Sequence, residues 1–321
     1  MHWKVKAAIQ NTISIFPRSV SYSTYYRMQR LVGGLKRVNP VERFVAGVQT
    51  WRRIMKEGRD PADKVFFEVG TGTTPDVPLA FWLLGAKRTI TVDVNPYLKG
   101  ELVRETLEYI DANQNDVTAL FGELLQHKRM ADLLQFHRRG AFTLRGLLDL
   151  CSIEYIEPGD ASRTGLPPRS IDFHTSYTVF EHIPPAVLAQ ILEEGNRIIR
   201  DDGLFVHMID YSDHFSHSDT SISSINFLQY SDEEWAGYAG NRYMYMNRLR
   251  HDDVLALFQS AGHRILATTH SVDERSRDLL ESGLFRLNAK FVTKSAEILS
   301  IRGSWIVSER TGRPQLISAT Q

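Results

Sequence analysis

This sequence has only one cysteine, no long apolar run and no net charge. Its single cysteine, Cys151, excludes an intramolecular disulfide bond and a zinc site built from cysteines, so a buried structural thiol is the expected role. No apolar run approaches the ~18–20 residues that a membrane-spanning helix needs, and no signal-peptide pattern opens the chain, so we expect a cytoplasmic protein. The formal net charge is +0 and the pI is about 7.2, which disfavours a general binder of nucleic acid.

The charge is unevenly distributed along the 321 residues. Residues 1–60 contain twelve lysines and arginines against three acidic residues, a local excess of nine positive charges. Among these basic residues lie four apolar ones, Trp3, Ile13, Ile15 and Phe16, and this mixture suits peripheral contact with an anionic bilayer or a lipid-linked substrate. The other interpretation is a solvated helical extension that packs on the acidic remainder of the chain. The sequence leaves both open.

The most informative segment is an apolar run that ends in a glycine turn, Val65–Thr74. Gly70 and Gly72 let the backbone approach a ligand closely, because no Cβ atom stands in the way. A second apolar run, 89–92, ends in Asp93, twenty-one residues after Gly72. A carboxylate at the tip of the next strand accepts hydrogen bonds from both hydroxyls of a ribose. These two segments predict a nucleoside-containing cofactor at the carboxyl edge of a parallel sheet.

The residues around the turn narrow the choice of cofactor. A dinucleotide-binding turn needs a third glycine, and that position is Pro75 here. Glu68, two residues before the first glycine, would repel a pyrophosphate but would suit a cationic amino-acid group. The segment resembles motif I (Glu/Asp-x-Gly-x-Gly) of class I S-adenosylmethionine-dependent methyltransferases, although the usual third glycine of that family is Thr74 here. An NAD-dependent oxidoreductase is therefore the weaker alternative.

Three later segments continue this resemblance in the order of the family. A predicted third strand, 153–156, precedes Asp160 and Ala161, and a predicted fourth strand precedes a Glu-His-Ile element at 181–183. A helix then leads to a predicted fifth strand, 204–209. The resemblance implies that Asp160 bonds the adenine amino group. It implies that S-adenosyl-L-methionine contacts six residues in all: Glu68, Gly70, Gly72, Asp93, Asp160 and Ala161.

The resemblance also implies the fold class, an α/β fold with a doubly wound, Rossmann-like sheet of seven mostly parallel strands. Strands six and seven, predicted at 264–268 and 304–307, would form an antiparallel hairpin at the sheet edge. N-terminal helices and helical insertions would surround this sheet.

Gly58 and Pro61, just before the first predicted strand, mark the boundary between two predicted parts of the chain. Residues 1–60 would form a basic N-terminal helical cap, and residues 61–321 the methyltransferase domain. This domain would carry insertions at about 98–150 and 211–247, where substrate specificity is built in such sheets. Residues after Gly312 are expected to fray.

Methyl transfer to an oxygen also needs a base that removes the proton of the acceptor, most often a histidine. His182 lies at the end of predicted strand four, and six potential bases or ligands lie within 207–219. There, His214 would be the base, with Asp213 or Asp210 orienting it. A divalent metal held by some of these acids is an alternative, but the spacing matches no magnesium motif of such enzymes, and we predict no metal. A polar loop with satisfied hydrogen bonds is the third interpretation.

The 211–247 segment is rich in aromatic residues, with arginines among them. Aromatic faces with hydrogen-bonding rims suit sugars or flat rings, whereas a lid that buries its own aromatics is an equal alternative. We therefore predict a methyltransferase that methylates a hydroxyl of a small molecule or glycan, with a histidine as general base. The alternative is a non-catalytic, methyltransferase-like scaffold. No Asn/Asp-Pro-Pro-Tyr element follows strand four, which disfavours methylation of nucleic-acid bases.

Overall fold

The computed structural model describes residues 1–311, so the fraying predicted after Gly312 lies outside the described residues. Seven strands form its central sheet: β1 (Val65–Val69), β2 (Arg88–Val92), β3 (Ile153–Ile156), β4 (Ile171–Tyr177), β5 (Ile199–Asp210), β6 (His263–Val272) and β7 (Ile301–Arg310). Their order is β3-β2-β1-β4-β5-β7-β6. Strands β1 to β5 run parallel, and β7 is antiparallel to both β5 and β6. The predicted fold class, including the terminal antiparallel hairpin, is confirmed.

The strand order reverses between β1 and β4. The chain winds outward from β1 through β2 to β3 and then returns to the other side of β1 as β4. In an open α/β sheet the two loops at such a point diverge to opposite faces and leave a crevice outside the carboxyl ends of the strands. The glycine turn after β1 borders this crevice.

Helices cover both faces of the sheet. They are α1 (Trp3–Ile15), α2 (Arg18–Val32), α3 (Val41–Lys56), α4 (Asp76–Leu84), α5 (Gly100–Ala112), α6 (Gln114–Phe121), α7 (His127–Arg138), α8 (Leu144–Leu150), α9 (Pro185–Ile198), α10 (Asp232–Ala239), α11 (His251–Ser260), α12 (Glu274–Glu281) and α13 (Ala296–Ser300). Every residue of α4 is buried, because α4 packs against the sheet and is flanked by α3 and α7. The two helices approach so closely that a Cβ atom at Gly47 would lie 2.5 Å from the Cβ of Ala80.

Consecutive residues of β1 enter different cores, as the alternation of a strand requires. The ring of Phe66 lies 4.3 Å from that of Phe81 and 5.7 Å from that of Trp51. The ring of Phe67 faces the opposite side of the sheet, 5.1 Å from that of His174. Burial on both faces explains why this strand is apolar without interruption. Because Trp51 belongs to α3, this N-terminal helix is part of the sheet core.

The structure shows what the predicted insertions contain. The 98–150 segment consists of α5 to α8, and 211–247 contains α10 among turns and short loops. Strands β6 and β7 are longer than predicted, since exposed polar residues at 268–271 carry no apolar pattern yet still pair with β7. The length of β6 is therefore determined by its backbone hydrogen bonds to β7 and not by its apolar pattern.

Helices α1 and α2 pack on the loops at the carboxyl edge. Trp3 is buried, and its backbone N–H donates to Oδ2 of Asp219 over 2.7 Å. The hydroxyl of Tyr22 donates to Oδ1 of Asn95, 2.9 Å away in the loop after β2. Ile15, the last residue of α1, and Phe16, which follows it, are 82% and 50% exposed. Contact of this apolar turn with an anionic bilayer stays a prediction, which vesicle flotation would test. Within residues 1–311, no helix has the length and apolarity required for a membrane span.

Candidate active site

The glycine turn and the acid after β2 meet at the carboxyl edge of the sheet. Gly70 and Gly72 have φ angles of 86° and 69°, in the left-handed region that glycine adopts without strain. A Cβ atom at Gly70 would lie 2.5 Å from Cγ2 of Val179, so the loop after β4 also needs a glycine here. The backbone N–H of Gly72 donates to Oδ2 of Asp93 over 3.0 Å, and that of Asn95 donates to Oδ1 over 3.0 Å. Both carboxylate oxygens keep further lone pairs for a ligand.

Glu68 lies in β1 beneath this turn and is 3% exposed. It pairs in register with Thr91 of β2, whose hydroxyl donates to Oε2 over 2.7 Å. Burial raises the pKa of Glu68 to about 8, against the opposing effects of the Thr91 hydrogen bond and the charge of Arg43. A desolvated acid in this position gains a large stabilisation of its charged form when a cationic ligand group binds next to it.

Arg43 of α3 reaches the same turn, which the sequence motifs did not indicate. Its Nη1 donates to Oγ1 of Thr74 over 2.9 Å, and the Thr74 hydroxyl donates to Oδ2 of Asp76 over 2.7 Å. A Cβ atom at Gly72 would lie 3.9 Å from the Nη2 atom of Arg43. Thr74, at the position of the third glycine of motif I, therefore links the guanidinium of Arg43 to the buried carboxylate of Asp76.

The loop after β3 joins the loop after β2 through the backbone. The N–H of Gly159 donates to the carbonyl of Asp93 over 2.8 Å, and a Cβ atom at Gly159 would lie 2.4 Å from Cγ2 of Val92. Ala161 is buried, whereas Asp160 is exposed and its Oδ1 accepts from the backbone N–H of Ser162 over 2.8 Å. All six predicted donor-binding residues thus lie at the ends of β1, β2 and β3. Their contact with a cofactor stays a proposal.

A second cluster of titratable side chains lies where β4 and β5 end. The short 3₁₀ helix Phe180–His182 follows β4, and the side chain of Asn247 donates to the carbonyl of Phe180 over 2.8 Å. Asp210 ends β5, and its Oδ1 accepts from the backbone N–H of Ser212 over 2.8 Å. These local contacts bring together five side chains: Glu181, His182, Asp210, His214 and His217.

Distances within this cluster are short. Oδ2 of Asp210 lies 3.4 Å from Nε2 of His214 and 3.7 Å from Nε2 of His217. The rings of His182 and His214 are 4.9 Å apart. Burial opposes ionisation of Asp210, yet its hydrogen bonds and the charge of His214 hold its pKa at about 2. The structure therefore brings together the two histidines that the sequence singled out as separate candidates.

Two members of the cluster have distinctive surroundings. Nδ1 of His182 lies 2.9 Å from the carbonyl oxygen of Tyr245, so this nitrogen carries the proton and Nε2 presents a lone pair. Burial and the neighbouring His214 lower the pKa of His182 to about 4, which keeps the ring neutral at pH 7. Glu181 is 3% exposed, and neither of its carboxylate oxygens has a hydrogen-bond partner within residues 1–311. Burial raises the pKa of Glu181 well above its usual range.

Asp213 takes a different place from the one predicted. Its Oδ1 accepts from the backbone N–H of Phe215 over 2.9 Å, and its Oδ2 accepts from the side-chain amide of Asn226 over 2.8 Å. Asp213 is fully buried and holds the loop after β5 together. The carboxylate that lies against His214 belongs to Asp210, the other candidate that the sequence offered.

The aromatic residues of the 211–247 segment mostly join it to the N-terminal helices. Trp3 inserts among its rings, 6.1 Å from Trp235 and 4.9 Å from Tyr238. Tyr243 stacks on Tyr25 of α2 with ring centres 4.1 Å apart. The sequence left open whether these aromatics bind sugars or flat rings or are buried within the segment itself. Most of the contacts described here are of the second kind.

Comparisons with known proteins found structural likeness only. No protein-family model matches the chain, and no curated protein matches it. Among solved structures, it is similar to a SAM-dependent methyltransferase of Methanosarcina mazei, with 13% identity, TM-score 0.44, and coverage of 80% of this chain and 96% of that one. It is also similar to the geranyl diphosphate C-methyltransferase of Streptomyces coelicolor, with 9% identity, TM-score 0.46, and coverage of 83% and 79%. That structure contains Mg²⁺, geranyl diphosphate and S-adenosyl-L-homocysteine.

Likeness at this level of identity carries no argument about activity. The fold assignment itself depends on the strand order and directions described above.

Proposed function

We propose that this protein transfers the methyl group of S-adenosyl-L-methionine to a hydroxyl of a small molecule or glycan. The proposed binding of the methyl donor rests on one observation. The backbone N–H of Gly72 is hydrogen-bonded to Asp93 directly above the buried Glu68. The turn gives the donor access to backbone, Asp93 offers lone pairs to the ribose hydroxyls, and Asp160 with Ala161 would meet the adenine.

The amino-acid end of the donor carries an ammonium and a carboxylate, and the turn offers a partner of opposite charge for each. Glu68 suits the ammonium, since within residues 1–311 its desolvated carboxylate has a single side-chain hydrogen bond, from Thr91. Arg43 suits the carboxylate, since its guanidinium lies over Gly72 and has donors beyond the one bonded to Thr74. This pairing distinguishes an S-adenosylmethionine site from a dinucleotide site, where the acid would repel the pyrophosphate.

The acceptor half of the proposal depends on the histidine cluster at the ends of β4 and β5; β4 pairs with β1 in the sheet, and β5 is the next strand beyond it. We place the general base at His182, because the carbonyl of Tyr245 fixes its tautomer and leaves Nε2 free to accept a proton. His214, with Asp210 against it, is the second candidate. The acceptor oxygen would lose its proton to Nε2 while bonding to the methyl carbon. The carbon–sulfur bond breaks, and its electron pair stays on sulfur to give S-adenosyl-L-homocysteine.

Calorimetric titration with S-adenosyl-L-methionine and S-adenosyl-L-homocysteine tests the donor half directly. Micromolar binding of both is the expected result. The acceptor half is then tested by measuring S-adenosyl-L-homocysteine release from panels of glycans and hydroxylated metabolites. Release above the acceptor-free rate with any member would identify the acceptor class.

A scaffold without catalytic function is the competing proposal. If neither donor compound binds, the fold stands and the scaffold becomes the better description. If nicotinamide cofactors bind instead and change absorbance during turnover, the oxidoreductase alternative replaces both.

A further inference from the structure

We propose that Asp210, His214 and His217 bind a divalent first-row transition-metal ion, with Glu181 and His182 beside it. All three residues belong to a single stretch of chain, the end of β5 and the turn that follows. The sequence analysis predicted no metal, because the spacing of these residues matches no magnesium motif.

The distances fit such an ion. A tetrahedral centre with bonds of about 2.1 Å separates its ligand atoms by about 3.4 Å. Oδ2 of Asp210 lies 3.4 Å from Nε2 of His214 and 3.7 Å from Nε2 of His217. The three ligand atoms all lie within 4.8 Å of one another. Small side-chain rotations would therefore bring all three to bonding distance.

Buried polar atoms of this cluster that make no hydrogen bond within the described residues favour a bound cation. Nε2 of His214 is buried and makes no hydrogen bond within the described residues, since its 3.4 Å contact with Oδ2 of Asp210 lacks hydrogen-bond geometry. Both carboxylate oxygens of the adjacent Glu181 are likewise buried without a partner in that part of the chain. Glu181, His182 and His214 also form a group whose ligand atoms lie within 4.8 Å of one another. A buried carboxylate without a partner costs free energy, and a neighbouring divalent charge would offset that cost.

One contact must change when the ion binds. Nε2 of His217 lies 2.8 Å from the hydroxyl of Ser212. Since a hydroxyl both donates and accepts, it can rotate away and leave the lone pair of a neutral imidazole to the metal. His217 is also 42% exposed through its side chain, so it can move and an ion can enter from solvent.

The ligand chemistry selects the kind of metal. Imidazole nitrogens suit zinc, iron, cobalt and related ions, whereas magnesium and calcium prefer oxygen ligands. Two imidazoles and one carboxylate leave open positions for water or substrate. In catalysis, an acceptor hydroxyl at such a position would have a lowered pKa and would pass its proton to His182. This consequence rests on the proposed function, whereas binding of the ion does not.

The test measures metal binding by the full-length protein without donor or acceptor. Protein stripped with a chelator is titrated with Zn²⁺ by calorimetry and with Co²⁺ by visible absorption. We expect saturable binding of one ion per chain and the d–d bands of a low-coordinate Co²⁺ site. Mg²⁺ should compete poorly with Zn²⁺.

Two ligand variants and one matched control complete the experiment. His217→Ala, at an exposed position, and Asp210→Asn, which keeps the side-chain size, should each weaken Zn²⁺ binding by roughly tenfold or more. His127→Ala, which removes an exposed histidine on α7, should leave the affinity within twofold. Circular dichroism checks that each variant is folded. Absence of saturable binding, equal binding by both ligand variants, or equal competition by Mg²⁺ would each overturn the proposal. Because no donor is present, failure here leaves the methyl-transfer proposal intact.

Discussion

The backbone N–H of Gly72 donates to the carboxylate of Asp93, and this 3.0 Å hydrogen bond joins the ends of two parallel strands. The contact makes the glycine turn and the acid parts of one structure, since the position of Asp93 depends on the turn. A second N–H, from Asn95, holds the other carboxylate oxygen at 3.0 Å. The acid is therefore fixed before any ligand arrives, which reduces the entropy that binding would cost.

Replacement of Asp93 by alanine should weaken donor binding by about 1–3 kcal/mol, or about 5- to 150-fold, because the ribose hydroxyls lose their acceptor. Calorimetric titration with S-adenosyl-L-homocysteine measures the change. Asp149→Ala, an exposed position on α8, is the matched control and should bind like the wild type. An unchanged affinity in Asp93→Ala would refute the ribose role.

Glu68 should make donor affinity depend on pH. Burial raises its pKa to about 8 in the free protein, so below that pH the side chain is mostly neutral and attracts an ammonium weakly. Affinity for S-adenosyl-L-methionine should therefore rise as pH increases toward 8. It should fall again above pH ~8, because the α-amino group of the donor then loses its own proton. Titrations from pH 6 to pH 9 measure this profile.

Two controls separate the role of Glu68 from general effects of pH. Glu68→Gln cannot ionise, so its affinity should lose the rise between pH 6 and pH 8. Methylthioadenosine lacks the amino-acid group and should bind the wild type equally well at all these pH values. A rising limb that persists in the glutamine variant would assign it to another group.

Arg43 should matter only for ligands that carry a carboxylate. Its guanidinium lies beside Gly72 and is anchored by Thr74. Arg43→Gln should reduce affinity for S-adenosyl-L-homocysteine by about 1–3 kcal/mol, the scale of a lost charge-assisted hydrogen bond. Binding of methylthioadenosine should stay within twofold of the wild type. Equal losses for both ligands would mean that the substitution disturbs the turn rather than a carboxylate contact.

Much of the donor site could be predicted from sequence, because short-range patterns determine it. The glycine turn must follow the strand that precedes it, and Asp93 must end the next apolar run, so their meeting follows from parallel pairing. Arg43 could not be predicted in this way. It lies on a helix whose packing against α4 depends on Gly47 and Ala80, a tertiary contact without a local signal.

The acceptor side was harder to predict because a loop forms it. Asp210 and Asp213 both lie within four residues of His214, and spacing alone does not show which one faces it. The turn after β5 decides, since its backbone bonds place Asp213 inward toward Asn226 and leave Asp210 against the histidines. The same turn brings His217 into the cluster, which gives the metal proposal its third ligand.

His182 should be required for turnover but not for donor binding. Once an acceptor is found, His182→Gln should reduce kcat by about 10²–10⁴-fold, the usual contribution of a general base. The Kd for S-adenosyl-L-homocysteine should change less than twofold, since His182 lies at the end of β4 and outside the predicted donor residues. His214→Ala in parallel would show which histidine matters more. Full turnover in the His182 variant would refute the base role of His182.

His174 should limit stability in acid. It belongs to β4, where its side chain is fully buried on one face of the sheet between Phe67 and Phe205, and burial lowers its pKa to about 3. The unfolded chain protonates this histidine below pH ~6.5, whereas the folded protein stays neutral to about pH 3. The contribution of neutral His174 to the free energy of unfolding is therefore fully present above pH ~6.5. It decreases as pH falls from there toward pH 3, by up to about 1.4 kcal/mol per pH unit. His174→Leu should move the acid unfolding midpoint, followed by circular dichroism, to lower pH. His127→Leu, at an exposed site, should leave it in place, and an unshifted midpoint in His174→Leu would assign acid sensitivity to other groups.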